Sequence, residues 1–252
     1  MNLRLEFDGP VAHLLIDRLD KRNAFNMAMW EAMPGLLEQA RADPAVRTLV
    51  IRSAQPGGVF CAGADIKEML LHKDDGAWLA ANQAAINRVQ HDLARLTLPT
   101  VAFVEGDCVG GGCGIAIACD LRVATDKARF GITPGKLGIV YPLHDVKLLT
   151  DLVGPGQAKR MLFTGGLLDA AEAQRIGLVE MIADSPRGLL NDILSASPHS
   201  IREIKMFVRR VLDGQTGDDD QTLAIFTDAF MRGDFAEGAA AFAGKRKPDF
   251  NG

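Results

Sequence analysis

Residues 110–120 read GGGCGIAIACD, three glycines followed by a stretch in which every side chain up to Cys119 is small or apolar. Read as a helix, that stretch has no polar face to offer water, so it must be covered on every side. TVAFVEG (100–106) before it and LRVAT (121–125) after it have the short, apolar, β-branched character of buried strands. A helix enclosed this completely requires a layered fold of strands and helices. With 252 residues, 48% of them hydrophobic, the chain can bury such a core as one main domain with a small appended lobe.

The remaining pattern is of the same α/β kind. Residues 3–7 and 11–16 alternate as two strands of a hairpin turned at Gly9-Pro10. Asn26 is placed to cap a helix running to about Ala42, with Met29, Met33, Leu36 and Leu37 at helical spacing. A strand follows at 48–52, then a long helix at 76–96 stopped by Pro99. After Phe130 the pattern turns to helices, at 143–152, 155–163, 170–176, 187–195, 200–212 and 219–232, with GQTGDDDQ as a loop among them. The expected organisation is a β/α core over residues 1–190 and a helical lobe over 191–252.

Lysine and arginine number 28 against 32 aspartates and glutamates, a net charge of −4. This balance gives no overall pull toward nucleic acid or an anionic membrane, and neither is expected as a partner. The cysteines, Cys61, Cys108, Cys113 and Cys119, lie in apolar or glycine-rich surroundings and lack the two-residue spacing of zinc or thioredoxin motifs. They read as reduced thiols of a cytoplasmic protein, with no metal site. No apolar run approaches the roughly 20 residues of a membrane span, and the first twenty residues lack an export cleavage signal.

Two glycine turns carry the chemistry. The first, Phe60 to Glu68, reads FCAGADIKE and leads into a short helix. The second is Gly110-Gly111-Gly112, set between a strand and the buried helix. Three glycines without Cβ atoms let a ligand approach the backbone, and the helix behind adds partial positive charge at its N-terminus. The pair suits an anion or a developing oxyanion; for the glycines alone, a tight turn or a close packing contact is the simpler reading. A phosphate loop is disfavoured, since neither GxGxxG nor GxxxxGK[ST] is present.

Five ordered blocks, FCAGADIKE, VGGGCGIAIACDLRVAT, ARFGITPGKLGIVY, MLFTGGLLDAAEAQRIGLV and AFAGKRKPDF, resemble the crotonase (enoyl-CoA hydratase/isomerase) superfamily from end to end. The resemblance implies a spiral of ββα units with a helical C-terminal trimerisation lobe, and an acyl-CoA thioester as substrate, with coenzyme A part of that substrate and no separate cofactor. It implies that the backbone N–H groups of Ala64 and Gly111 hold the thioester carbonyl. Ala62, Asp65, Ile66 and Lys67 match the stretch lining the CoA channel, and Lys21, Arg22 and Ala24 match an upstream segment lying against CoA. Phe242 and Lys245 match residues that reach the CoA of a neighbouring subunit in a homotrimer or hexamer. For each basic residue a solvated surface role is the alternative.

The two glutamates used by hydratases of this family are replaced, the first by Gly114 and the second by Pro134. Neither can exchange a proton, which weighs against two-glutamate hydration and one-glutamate isomerisation. The aspartate of the dehalogenases and dienoyl-CoA isomerases falls at Pro142. TPGKLGIVY is similar to the TPxxLGxxY stretch of methylmalonyl-CoA decarboxylase, and Tyr141 is the only tyrosine in the chain. Decarboxylation through an enolate needs only one proton delivered to carbon, so Tyr141 is a candidate for a group facing substrate; a phenol packed in the core against a carbonyl is the alternative. His144 and Asp145 follow at helical spacing and complete the candidate catalytic set. A non-catalytic acyl-CoA binder is the other class that fits. Glu68 is a further pocket candidate, whereas Asp120 and His91 read as structural or surface groups.

Overall fold

The computed structural model describes residues 2–250. The chain divides into two compact units, one made of the chain up to Leu96 together with Thr100–Pro186, the other of Thr97–Pro99 and the chain from Arg187 onward.

In the first unit, β1 (Leu3–Asp8) and β2 (Val11–Ile16) pair antiparallel. Helix α1 (Met27–Ala42) starts where the Asn26 side chain accepts the Met29 N–H, and buries Met29, Trp30, Met33 and Leu37. β3 (Thr48–Ser53) lies parallel to β2. Helices α2 (Ile66–Leu71) and α3 (Gly76–Ala94) precede β4 (Thr100–Val104), every residue of which is buried. That burial is what a parallel strand between two parallel neighbours requires. β5 (Asp107–Val109), α4 (Gly111–Ala118), β6 (Leu121–Ala124), β7 (Arg129–Gly131) and α5 (Pro134–Leu137) follow. Then come α6 (Leu143–Thr164), β8 (Leu168–Asp169), α7 (Ala170–Arg175) and β9 (Met181–Ile182).

The large sheet has the order β1-β2-β3-β4-β6-β9 and the small one β5-β7-β8. Successive strand pairs, β4 with β5 and β6 with β7, place their first strand in the large sheet and their second in the small one. The chain therefore advances as a spiral of ββα turns. α4 is buried from Gly112 through Ala118, as its composition demands. The fully buried Arg122 is satisfied by the carbonyls of Leu178, Ala116 and Cys119 and by Glu180.

The sequence pattern misplaces some boundaries. The expected strand at 100–106 ends at Val104, and Asp107–Val109 enters the second sheet, whose strands are too short to show a period. The break expected between helices at 143–152 and 155–163 is present, since Gly154 inside α6 has φ 71° and ψ 164°, which are not helical. Such a backbone favours glycine.

The second unit is helical: α8 (Arg187–Leu194), α9 (Pro198–Leu212), α10 (Asp220–Ala229) and α11 (Gly233–Ala243). The expected helix at 219–232 thus stops at Ala229, and a further helix, α11, follows it. Lys205 Nζ donates to the Leu98 carbonyl at 2.7 Å, tying the short 97–99 segment to this unit. Phe226, Phe230 and Phe235 are exposed and stack edge to face, with centroids 5.4 and 5.1 Å apart.

Candidate active site

The two glycine turns meet. Cys61 N–H donates to the Asp107 carbonyl at 3.1 Å and Val109 N–H to the Cys61 carbonyl at 2.9 Å, lacing the 60–65 turn to β5. Gly110 N–H donates to Gly131 at 2.8 Å. Gly63 has φ 103° and Gly110 φ 55°, so both turns use backbone that side chains resist. A methyl group built on Gly111 would sit 3.5 Å from the Ala64 nitrogen, and one on Gly63 would sit 3.4 Å from the Gly111 nitrogen. Ala64 and Gly111 therefore present their backbone nitrogens side by side, and among the described residues neither N–H donates to a backbone carbonyl. Gly111 also opens α4, whose N-terminus favours negative charge. Two preorganised donors at one helix start can hold an oxyanion.

Behind this pair lies a buried polar group centred on Gly114. A Cβ at Gly114 would fall 2.3 Å from Gln90 Nε2, 3.0 Å from the Tyr141 hydroxyl and 3.1 Å from Asp145 Oδ2. The place where a side chain at position 114 would begin is thus filled from α3, α6 and the turn before α6. The Tyr141 hydroxyl donates to the Gly110 carbonyl at 3.1 Å, the carbonyl that also accepts the Gly114 N–H. Tyr141 is therefore a buried phenol anchored on the carbonyl of the same peptide group whose N–H is the Gly111 donor. Burial, with the carboxylate of Asp145 beside it, pushes its hydroxyl well above the usual phenol range.

Asp145 is 1% exposed, and among the described residues neither of its oxygens has a hydrogen-bond partner. Burial raises its carboxyl above the ordinary carboxylate value, while His144 pulls the other way. His144 does not join Tyr141; it turns toward α3, with Nε2 3.4 Å from Arg95 and its ring 6.0 Å from that of His91. Gln90 is fully buried, and among the described residues both its amide atoms are unpartnered. The sequence signal for it was available: Gln90 sits among Val89, Leu93 and Ala94 on the buried face of α3, a polar residue where an apolar one fits.

The candidate CoA segment has a different character. The Asp65 carboxylate is occupied by Arg18 at 2.8 Å and by the N–H groups of Lys67 and Glu68, so it caps α2. These contacts, working against partial burial, hold it below the ordinary carboxylate range. Ala62 N–H donates to the Arg22 carbonyl and Ala24 N–H to that of Lys21, which brings the 21–24 segment against the first turn. Arg22 pairs with Asp107 at 2.7 Å while most of its side chain stays exposed. Lys21, Ile66 and Lys67 are exposed. Glu68 accepts the Met27 N–H at 2.8 Å and starts α1 rather than standing free for a pocket. Asp120 accepts the Thr100 N–H and hydroxyl, a structural role. Phe242 and Lys245 lie in the second unit, Phe242 88% exposed.

All four cysteines are buried and free. Burial raises the Cys61 thiol to about 12 and pushes Cys108 well above the usual thiol range, so these are packing groups. No helix among the described residues is long and apolar enough to cross a membrane.

A family model described as enoyl-CoA hydratase/isomerase matches residues 6–252. The chain is 33% identical to the short-chain-enoyl-CoA hydratase of Clostridium acetobutylicum, over 98% of this chain and 96% of that one. It is 30% identical to the mitochondrial methylglutaconyl-CoA hydratase of Mus musculus, over 98% and 81%. The solved structure of an enoyl-CoA hydratase/isomerase family protein from Hyphomonas neptunium matches with a TM-score of 0.94 at 36% identity, over 100% of this chain and 98% of that one.

Proposed function

Because the chain belongs to the enoyl-CoA hydratase/isomerase family, we propose that it acts on an acyl-CoA thioester by stabilising the thioester enolate between the N–H groups of Ala64 and Gly111. Its fold is the crotonase-like spiral of its structural relatives. The observation that carries the proposal is the pair of backbone donors, without backbone partners among the described residues, held side by side where two glycine turns meet. Such donors favour the negative oxygen of an enolate over the neutral carbonyl.

Asp145 is the acid–base group of this proposal. Gly114 and Pro134 supply no titratable side chain, whereas Asp145 puts a carboxyl oxygen 3.1 Å from where a Gly114 side chain would start. A carboxyl whose ionisation is disfavoured by burial is suited to deliver a proton to an enolate carbon. Lys21, Arg22, Ala24, Ala62, Asp65, Ile66 and Lys67 form the CoA side of the site, the basic groups meeting phosphate and the backbone meeting adenine. Coenzyme A enters as part of the substrate. Phe242 and Lys245 serve a neighbouring protomer of a homotrimer or hexamer, and the buried thiols fit the cytoplasm.

Decarboxylation is the second reaction this site supports, because Tyr141 and Asp145 flank position 114 and the reaction consumes one proton. Crotonyl-CoA, 3-methylglutaconyl-CoA, malonyl-CoA and methylmalonyl-CoA separate the possibilities. Turnover is expected with a thioester that passes through an enolate. Hydration of crotonyl-CoA at ordinary enzyme rates would overturn the importance given to Gly114 and Pro134, and tight binding of every ester without turnover would establish a binder instead.

A further inference from the structure

Asp145 is sealed from solvent, yet any acid that gives a proton to carbon must recover one. Its neighbours show one way out. His144 Nδ1 stands 3.5 Å from Asp145 Oδ1, and among the described residues neither atom has another hydrogen-bond partner. On the other side of the ring, Nε2 is 3.4 Å from an Arg95 nitrogen. Arginine only donates, so Nε2 is the acceptor and the neutral ring carries its proton on Nδ1, aimed at Asp145. Arg95 is exposed, and the His144 side chain is 23% exposed against 1% for Asp145. A graded series thus runs from solvent at α3 to the sealed carboxyl. The inner end is set by Gln90, whose unpartnered amide fills the same Gly114 space as Asp145 Oδ2.

We propose that His144 is a proton conduit that recharges Asp145 from the α3 side of the molecule, and that Gln90 is a positioning residue which steadies the Asp145 carboxyl in the space left by Gly114. The proposal rests on the enolate chemistry assigned to this site. As the enolate collapses, its electron pair takes the Asp145 proton and a C–H bond forms. The Asp145 carboxylate then takes the proton of His144 Nδ1, while Nε2 receives one from solvent. Reversed, the same steps carry a proton from the α-carbon to water. The Gly114 position thus admits the acid of another helix, and a side chain there would displace the Gln90 amide and crowd the Asp145 carboxyl.

The test is α-proton exchange of butyryl-CoA in deuterated water, followed by NMR, for the full chain and for His144→Ala, Asp145→Asn and Gln90→Leu. The wild type is expected to exchange, and His144→Ala to exchange about 10- to 100-fold more slowly with unchanged butyryl-CoA affinity. Added imidazole should restore the His144→Ala rate but not the Asp145→Asn rate, because it replaces the conduit and not the acid. Gln90→Leu should lower the exchange rate without becoming sensitive to imidazole. A His144→Ala rate equal to wild type, or slowed but indifferent to imidazole, overturns the conduit while leaving the enolate site standing. Absence of exchange in the wild type overturns both.

Discussion

Gly112 and Gly114 lie two residues apart in α4, yet a methyl group meets different obstacles at each. At Gly112 it would fall 2.4 Å from the Cys61 carbonyl oxygen, part of the backbone lacing that sets the first turn. At Gly114 the nearest atom is the end of the Gln90 side chain, which can swing away. Gly112→Ala should therefore cost about 3 kcal/mol or more in urea unfolding, and Gly114→Ala about 1–2 kcal/mol. Equal costs would show that Gln90 is fixed more rigidly than a side-chain end should be. Tyr141→Phe removes one hydrogen bond, to the Gly110 carbonyl, and should cost about 1 kcal/mol. A much larger fall in turnover than in stability would mark the hydroxyl as part of the chemistry.

Asp145 makes a pH prediction with a definite sign. Burial raises its folded pKa above the unfolded value, so between the two the folded state holds more protons than the unfolded one. Its favourable contribution is full below the unfolded value and is lost as pH rises through the folded one. Asp145→Asn cannot ionise, so its stability relative to wild type should grow as pH is raised from about 4 in urea melts. A constant difference across that range would mean that the carboxyl titrates normally in the fold.

At the scale of elements, α6 is bent at Gly154, where an added methyl group meets nothing within 4 Å and only the backbone objects. Gly154→Ala should lower stability by about 1–2 kcal/mol through φ alone and leave ligand affinity unchanged. The same helix shows what the sequence carries and what it does not. The break near residue 154 is legible because Gly154-Pro155 is a local signal, as are the Asn26 cap of α1 and the apolar code of α4. β5, β7 and β8, of two or three residues, are not, because their pairing is decided by neighbours far along the chain. The turns around Ala64 and Gly111 were legible as glycine patterns, but their meeting required the lacing of Cys61 to Asp107 and Val109. His144 and Asp145 looked equivalent at helical spacing. Packing separates them, one toward α3 and the other into the Gly114 space. Glu68 and Asp65 were legible as polar residues near the site, and only the caps they make show where their charge is spent.

At the scale of the whole molecule, the exposed faces of Phe226, Phe230, Phe235 and Phe242 are costly to leave in water. Association into trimers or hexamers is the expected outcome in light scattering, and Phe230→Asp should shift it toward monomer. A stable wild-type monomer would remove the intersubunit role of Phe242 and Lys245.

The four thiols have another consequence for the molecule in solution. Cys61, Cys108 and Cys113 are wholly enclosed and Cys119 is 4% exposed, in the elements that bracket Ala64 and Gly111. A thiol reagent reaches them only when that part of the fold opens, so alkylation kinetics become a clock for local unfolding at the site itself. If bound acyl-CoA bridges Ala64 and Gly111, it should slow that clock in proportion to its occupancy. The enzyme then reports its own ligand without a label, through the rate at which its interior becomes chemically visible.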